Sequence, residues 1–347
     1  TGTYNTIVGG LAGDALTTGA YNVAIGMYAL SAEDAHGRNV AIGQEALKVQ
    51  NAGQDGYNVA VGYYAGIAVS TGILNTLIGA HAGDNLTTGG YNVAIGYHAL
   101  GTEDGDGKNV AIGYTALATQ NAGADAFNVA VGYTAGSAIT TGIRNVLIGG
   151  HAGDNITTGA YNVGIGYHAL GSEDGNGRNV AIGYKALESL NAGADAYNVA
   201  IGHDAGVAVT TGVQNVLIGG LAGDALTTGS DNIAIGVNAL GGEDTGALNI
   251  AIGNDSLLVA DYNGNGYNTA IGYETGKAVS TGRKNTILGA ETGDALTTGD
   301  NNIIIGYAAA ASAVGVDNEI TLGDANIDAF RCNDQSIAAL SDGRDKS

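Results

Sequence analysis

The chain has 347 residues, of which 61 are glycine, and it has no proline, no tryptophan and only two phenylalanines. Its apolar content comes from Ala, Val, Ile and Leu, which suits a thin, closely stacked backbone and argues against two ordinary globular domains with large aromatic cores. A formal net charge of −21, from 33 acidic and 12 basic residues, excludes a nucleic-acid binder that needs clustered Lys and Arg, and it disfavours an anionic membrane surface.

The same charge keeps a long particle soluble and attracts divalent cations. The chain opens at Thr1 without a methionine and without a signal peptide, which reads as an internal piece of a longer product. From Asn5 onward a single motif recurs: an aromatic or polar residue, Asn, Val/Ile/Thr, a small or apolar residue, Ile/Val/Leu, Gly. Tyr21-Asn22-Val23-Ala24-Ile25-Gly26 and Arg38-Asn39-Val40-Ala41-Ile42-Gly43 are two copies. The key asparagines are Asn5, Asn22, Asn39, Asn58, Asn75, Asn92, Asn109, Asn128, Asn145, Asn162, Asn179, Asn198, Asn215, Asn232, Asn249, Asn268, Asn285 and Asn302, with Asn318 beginning a divergent last copy.

Successive spacings run 17, 17, 19 and 17 residues and then start again, so four copies make a super-repeat of 70. The blocks begin at Asn5, Asn75, Asn145, Asn215 and Asn285. The first copy of each carries a larger residue where most others have Ala: Ile7, Leu77, Leu147, Leu217 and Ile287. Each motif predicts a short strand, with Val and Ile on one face and Ala or Gly on the other. Turns such as Thr17-Thr18-Gly19 and Ser70-Thr71-Gly72 separate the strands. Helix is excluded, because a glycine every few residues costs about 1 kcal/mol each in a helix interior.

Seventeen residues suffice for two short strands and two turns. One such coil cannot bury its own Val and Ile, whereas stacked coils can, each pairing with the next at about 4.8 Å. The expected fold is therefore all-β: a parallel β-solenoid or β-roll of about nineteen coils, a rod on the order of 90 Å long. Residues 1–316 form the repeat shaft and 317–347 a C-terminal capping or neck segment. The asparagines become a ladder whose amides hydrogen-bond along the stack. Fifteen of the eighteen tyrosines fall in two slots, just before the key Asn or just after the strand Gly, which makes them structural.

Several residues carry possible chemistry. His81 and His98 share a slot on adjacent coils, and His151 and His168 repeat the pair one block later. Each pair can co-ligate a transition metal or stack as a surface imidazole ladder. Acidic loops recur at Glu33-Asp34, Glu103-Asp104-Gly105-Asp106, Glu173-Asp174 and Glu243-Asp244. Asp261, Asn263 and Asn265 match the start of a calcium-binding loop, but position twelve is Gly272 rather than Glu. These acidic segments read either as cation sites or as solvated turns, without the apolar surroundings that raise a carboxylate pKa. The two extra residues of each longer coil fall in loops at 51–55, 121–125, 191–195 and 262–266, which either adjust the path of the rod or contact host glycan. No catalytic constellation or phosphate loop stands apart from the repeat, so no enzyme activity and no obligatory cofactor is expected. The longest apolar stretch, 303–316, falls below the roughly 20 residues that span a bilayer.

The Asn-Val-Ala-Ile-Gly-x-x-Ala pattern resembles the head repeats of trimeric autotransporter adhesins of the YadA type, over residues 1 to about 310 and with a longer period here. The resemblance implies a homotrimeric β-roll. The end of the chain is similar to a common bacteriophage tail-fibre ending: Glu319-Ile320-Thr321-Leu322-Gly323, then Ile327, then Phe330-Arg331-Cys332, then Ser336 to Lys346. In such fibres this ending leads into an endosialidase-type (peptidase S74) intramolecular chaperone, which trimerises the fibre and cleaves itself off. Carried over, the scissile bond is Ser341–Asp342. Together the two resemblances imply a trimeric tail-fibre segment on the virion, extracellular, with other fibre or baseplate proteins and a host surface glycan or protein as partners. The alternative is the head of a bacterial trimeric adhesin. An ice-binding solenoid ranks far behind, because the Thr-Thr-Gly turns form no continuous threonine face.

Overall fold

The computed structural model describes residues 2–102, 107–172, 175 and 177–328. Nineteen three-residue strands, β1 (Thr6–Val8) through β19 (Ile320–Leu322), form one parallel sheet in which each strand pairs with the next in sequence. The pairing keeps like residue on like residue: Val163 on Val180, Gly164 on Ala181, Ile165 on Ile182. Where the coil is longer the register is still kept, as with Val40 on Val59. The fold is a β-solenoid. Among the described residues no helix is long and apolar enough to cross a membrane.

Each coil contributes one strand, not the two expected, and turns and bends form the rest. The backbone makes its bends with left-handed residues, including non-glycines: Tyr21 (φ 61°), Tyr28 (φ 56°) and Leu30 (φ 52°) in one coil. Such conformations cost about 1 kcal/mol or more apiece. Their N–H groups are not wasted, because Tyr28 donates to Gly10, Leu30 to Ala46 and Arg38 to Ala20, each on an adjacent coil. Pairing between coils therefore continues around the bends.

The strands differ sharply between their two faces. The middle residue points into the coil and the branched residues point out. Leu147 is 0 % exposed, whereas Ile148 beside it is 39 % exposed. The same alternation runs from Val23–Ile25 to Ile250–Ile252 and beyond. The reason is space. The interior of one coil is narrow and is filled by the middle strand residue, a following Ala-Leu or Ala-Gly pair and one further inward position.

The once-per-block leucine follows from the same limit. A Cβ on Gly66 would lie 2.6 Å from Leu77 Cδ1, and one on Gly83 would lie 2.9 Å from Leu77 Cδ2. Both glycines stand where other coils carry Leu30, Leu47 or Leu100. Two coils thus give up a leucine to admit Leu77 between them, and Gly136 and Gly153 do the same around Leu147.

The ladder runs past residue 316. In β19 the flanking Ile320 is 66 % exposed, yet the strand still pairs with β18 (Ile303–Ile305). Asn318 does not begin this last copy. It takes the left-handed position (φ 60°), and Glu319 takes the ladder position, its N–H donating to Asn302 Oδ1 at 2.9 Å. Residues 329–347, with Cys332 and the Ser341–Asp342 junction, lie outside the described residues.

Candidate functional site

The asparagine ladder is internal. Asn22, Asn39, Asn58, Asn75, Asn92, Asn109, Asn128, Asn145, Asn162, Asn179 and Asn198 are all fully buried. The Oδ1 of each accepts the backbone N–H of the next: Asn22 from Asn39 at 3.0 Å, Asn58 from Asn75 at 2.9 Å. The Nδ2 of many donates to a turn carbonyl, as Asn58 does to Gly72 at 2.9 Å. The side chain therefore satisfies backbone groups that the solenoid would otherwise bury unpaired. This is structural work, not ligand binding.

The histidine pairs stack. The rings of His151 and His168 lie 4.7 Å apart and 7° from parallel; those of His81 and His98 lie 6.3 Å apart at 22°. Stacked imidazoles aim their nitrogens side by side instead of toward one point. His81 Nδ1 is already 3.0 Å from Asp84 Oδ2, and His151 Nδ1 is 2.9 Å from Asp154 Oδ2. Tyrosines on the same side stack likewise, Tyr97 on Tyr114 at 5.4 Å and Tyr114 on Tyr133 at 5.2 Å.

The longer loops close back on the rod. Asp55 accepts from Arg38 Nε at 2.7 Å and from the Gly37 N–H at 3.1 Å, Lys108 pairs with Asp125, and Arg178 Nη1 lies 3.0 Å from Asp195. Arg38 lies over the rings of both Tyr21 and Tyr57, and Arg178 over Tyr161 and Tyr197. These contacts fit a path adjustment and a cation–π ladder.

The acidic segments depart from the expected solvated turn. Glu33 and Glu243 occupy the further inward position of their coils and are 0 % exposed. In other coils Val69, Leu86, Gln120 and Ile139 fill that position. Burial raises the Glu33 carboxyl above its usual range against the opposing pull of the His36 N–H and charge. Burial pushes Glu243 up to about 7, although the backbone N–H groups of Gly246 and Tyr262 oppose it. Burial therefore raises the pKa of two carboxylates, contrary to the reading from sequence. Glu103 and Glu173 hold the same place in the repeat but lie outside the described residues.

Two groups of potential ligand atoms lie within 4.8 Å of one another among the described residues: Glu33, Asp34 and His36; and Glu243, Asp244 and Asp261. Asp261 thus meets the acidic pair of the preceding coil. The Asn263 carbonyl accepts from Arg283, and Asn265 Nδ2 donates to Tyr267 Oη at 2.8 Å. Tyr262 turns inward, where Ala260 leaves room, and its hydroxyl donates to Asn249 Oδ1 at 2.7 Å. Aligning the coils by their asparagines would have shown Glu33 and Glu243 in register with buried Leu and Val.

A scan against family models finds no match, and no curated protein matches the chain.

Proposed function

We propose that the chain is a rigid structural segment of a trimeric fibre, a bacteriophage tail fibre that holds its tip out toward the host surface, with no catalytic role. The observation that carries the reading is the outward face of the sheet. Val and Ile flank the buried residue in coil after coil, and Ile78, Ile148, Ile201 and Ile271 remain 36–39 % exposed. The result is an apolar stripe that runs from coil to coil along the rod, the kind of surface that marks an interaction face.

A partner for that stripe must match its length and its coil spacing. Copies of the same chain do both, because parallel rods of one sequence keep every coil opposite its equivalent. Three copies around the stripe, as the resemblance to adhesin heads implies, would bury it along the axis and leave the tyrosine and acidic positions outside. Stiffness then comes from the backbone ladder, and weak contacts at the tip are multiplied threefold. Host glycan or protein, and neighbouring fibre or baseplate components, are the partners of this reading, and the virion exterior is its place.

The test is intact mass with light scattering on the product of the full gene. A trimer trimmed at Ser341–Asp342 supports the fibre reading and its chaperone. An untrimmed monomer overturns both.

A further inference from the structure

The acidic group at Glu243 combines a fully buried side chain, one carboxylate oxygen without a partner and two further carboxylates beside it. Glu243 is 0 % exposed; its Oε1 accepts the Gly246 N–H, the Tyr262 N–H pulls on the carboxylate without reaching hydrogen-bond geometry, and its Oε2 has no hydrogen-bond partner. A buried carboxylate oxygen without a donor is costly and asks for a positive charge. Asp244 and Asp261 occupy equivalent positions on adjacent coils, 17 residues apart, so two like charges are stacked beside it. Among the described residues no Lys, Arg or His makes an ion pair with any of the three.

We propose that Glu243, Asp244 and Asp261 form a calcium site built into the fourth block of the rod. The three donors are carboxylate oxygens, which select a hard cation over a soft one. Ligand atoms on opposite sides of a calcium ion are about 4.8 Å apart, twice a bond of about 2.4 Å, and the three lie within 4.8 Å of one another. Water and nearby carbonyls can complete the irregular shell that calcium accepts and magnesium does not. The backbone beneath is fixed. The Asp244 carbonyl accepts from the Thr227 N–H at 2.6 Å and from Thr227 Oγ1 at 2.8 Å, and the Asp261 N–H donates to Ser280 at 2.8 Å. Burial that holds the Glu243 proton near neutrality means that calcium entry is accompanied by proton release.

The repeat itself supplies the controls. Asn51, Asn121 and Asn191 stand where Asp261 does in the other blocks, and Gln50 and Gln120 where coils of that type face inward. Asp261→Asn therefore places a residue that its coil type already accommodates, and Glu243→Gln is near-isosteric in a slot that carries Glu33, Glu103 and Glu173 in the other blocks. The probe is terbium, sensitised by buried Tyr262 and displaced by calcium chloride, on the chain stripped with chelator, with magnesium chloride and Tyr262→Phe as comparisons. The expected result is a luminescence signal that Tyr262→Phe removes, that calcium displaces and magnesium does not, and whose affinity falls about tenfold or more in Asp261→Asn. Glu243→Gln is expected to weaken binding likewise with an unchanged far-UV circular dichroism spectrum. Calcium affinity equal to wild type in both variants, or a wild-type signal that calcium does not displace, would overturn the site. The site lies within one chain, so this outcome is independent of the oligomeric state.

Discussion

Leu226 and Glu243 occupy the same inward position on consecutive coils, and both are fully buried. Around Leu226 the coil carries Gly223, whereas around Glu243 it carries Leu240. The backbone ladder is unchanged between them: Asn215, Asn232 and Asn249 continue without a break. The comparison separates two duties. Hydrogen bonds between coils and the asparagine ladder hold the rod, and they tolerate even a carboxylate inside. Side-chain volume and charge then vary from coil to coil, and chemistry beyond stiffness resides in that variation.

The comparison breaks most severely if the acid is moved. Leu226→Glu places a charge in an apolar slot and stacks it on a like group, Glu243. A loss of roughly 3–5 kcal/mol is expected, as for an unpaired buried charge, measured by urea unfolding. On the apolar side, Leu77→Ala empties the space that Gly66 and Gly83 leave. The backbone there cannot collapse, because both neighbours are already glycine, so a loss of about 2–5 kcal/mol is expected.

The acidic side is sharpened by pH. Glu243 is pushed up from 4.5 to about 7 in the folded chain, so the folded state holds more protons than the unfolded one across that window. Its contribution is therefore most favourable below about pH 4.5 and is lost as pH rises toward 7. In chelated buffer, Glu243→Gln is expected to remove this fall and to stabilise the rod above neutrality by on the order of 2 kcal/mol. Melting temperatures across the window check it; an unchanged slope contradicts it. The smallest effect lies on the surface. Lys108→Ala removes one rung beside Phe127 and Asp125 and is expected to cost no more than about 1 kcal/mol, by the same unfolding measurement.

The repeat, the strands and the asparagine ladder were legible in the sequence because each needs one residue type at one position. Asn22 to Asn302 could be aligned by eye, and their side chains do what an Asn ladder predicts. Which strand face turns inward was not legible. Ala24 and Val23 are both apolar, and only the narrow interior of a single-strand coil decides that the smaller one goes in. The leucine of each block was visible, but its partners were not, because Gly66 lies eleven residues before Leu77 on another coil. The buried glutamates were hidden by their surroundings. Glu-Asp in a glycine-rich segment reads as a wet turn until it is aligned with Leu86 and Val69. Asp261 was singled out without Glu243 and Asp244, since a linear motif cannot anticipate an acidic group from the coil next door.

On the proposed function, the outward Val/Ile stripe is the axis between copies. Sedimentation equilibrium on the full-gene product and on the same product carrying Ile95→Glu and Ile165→Glu tests it most directly. Both residues flank the buried strand position and face outward, so a single rod tolerates the change. Three copies per particle are expected for the parent, and separated, β-rich single chains for the variant. A parent that sediments as one chain, or a variant that keeps three copies, would contradict it.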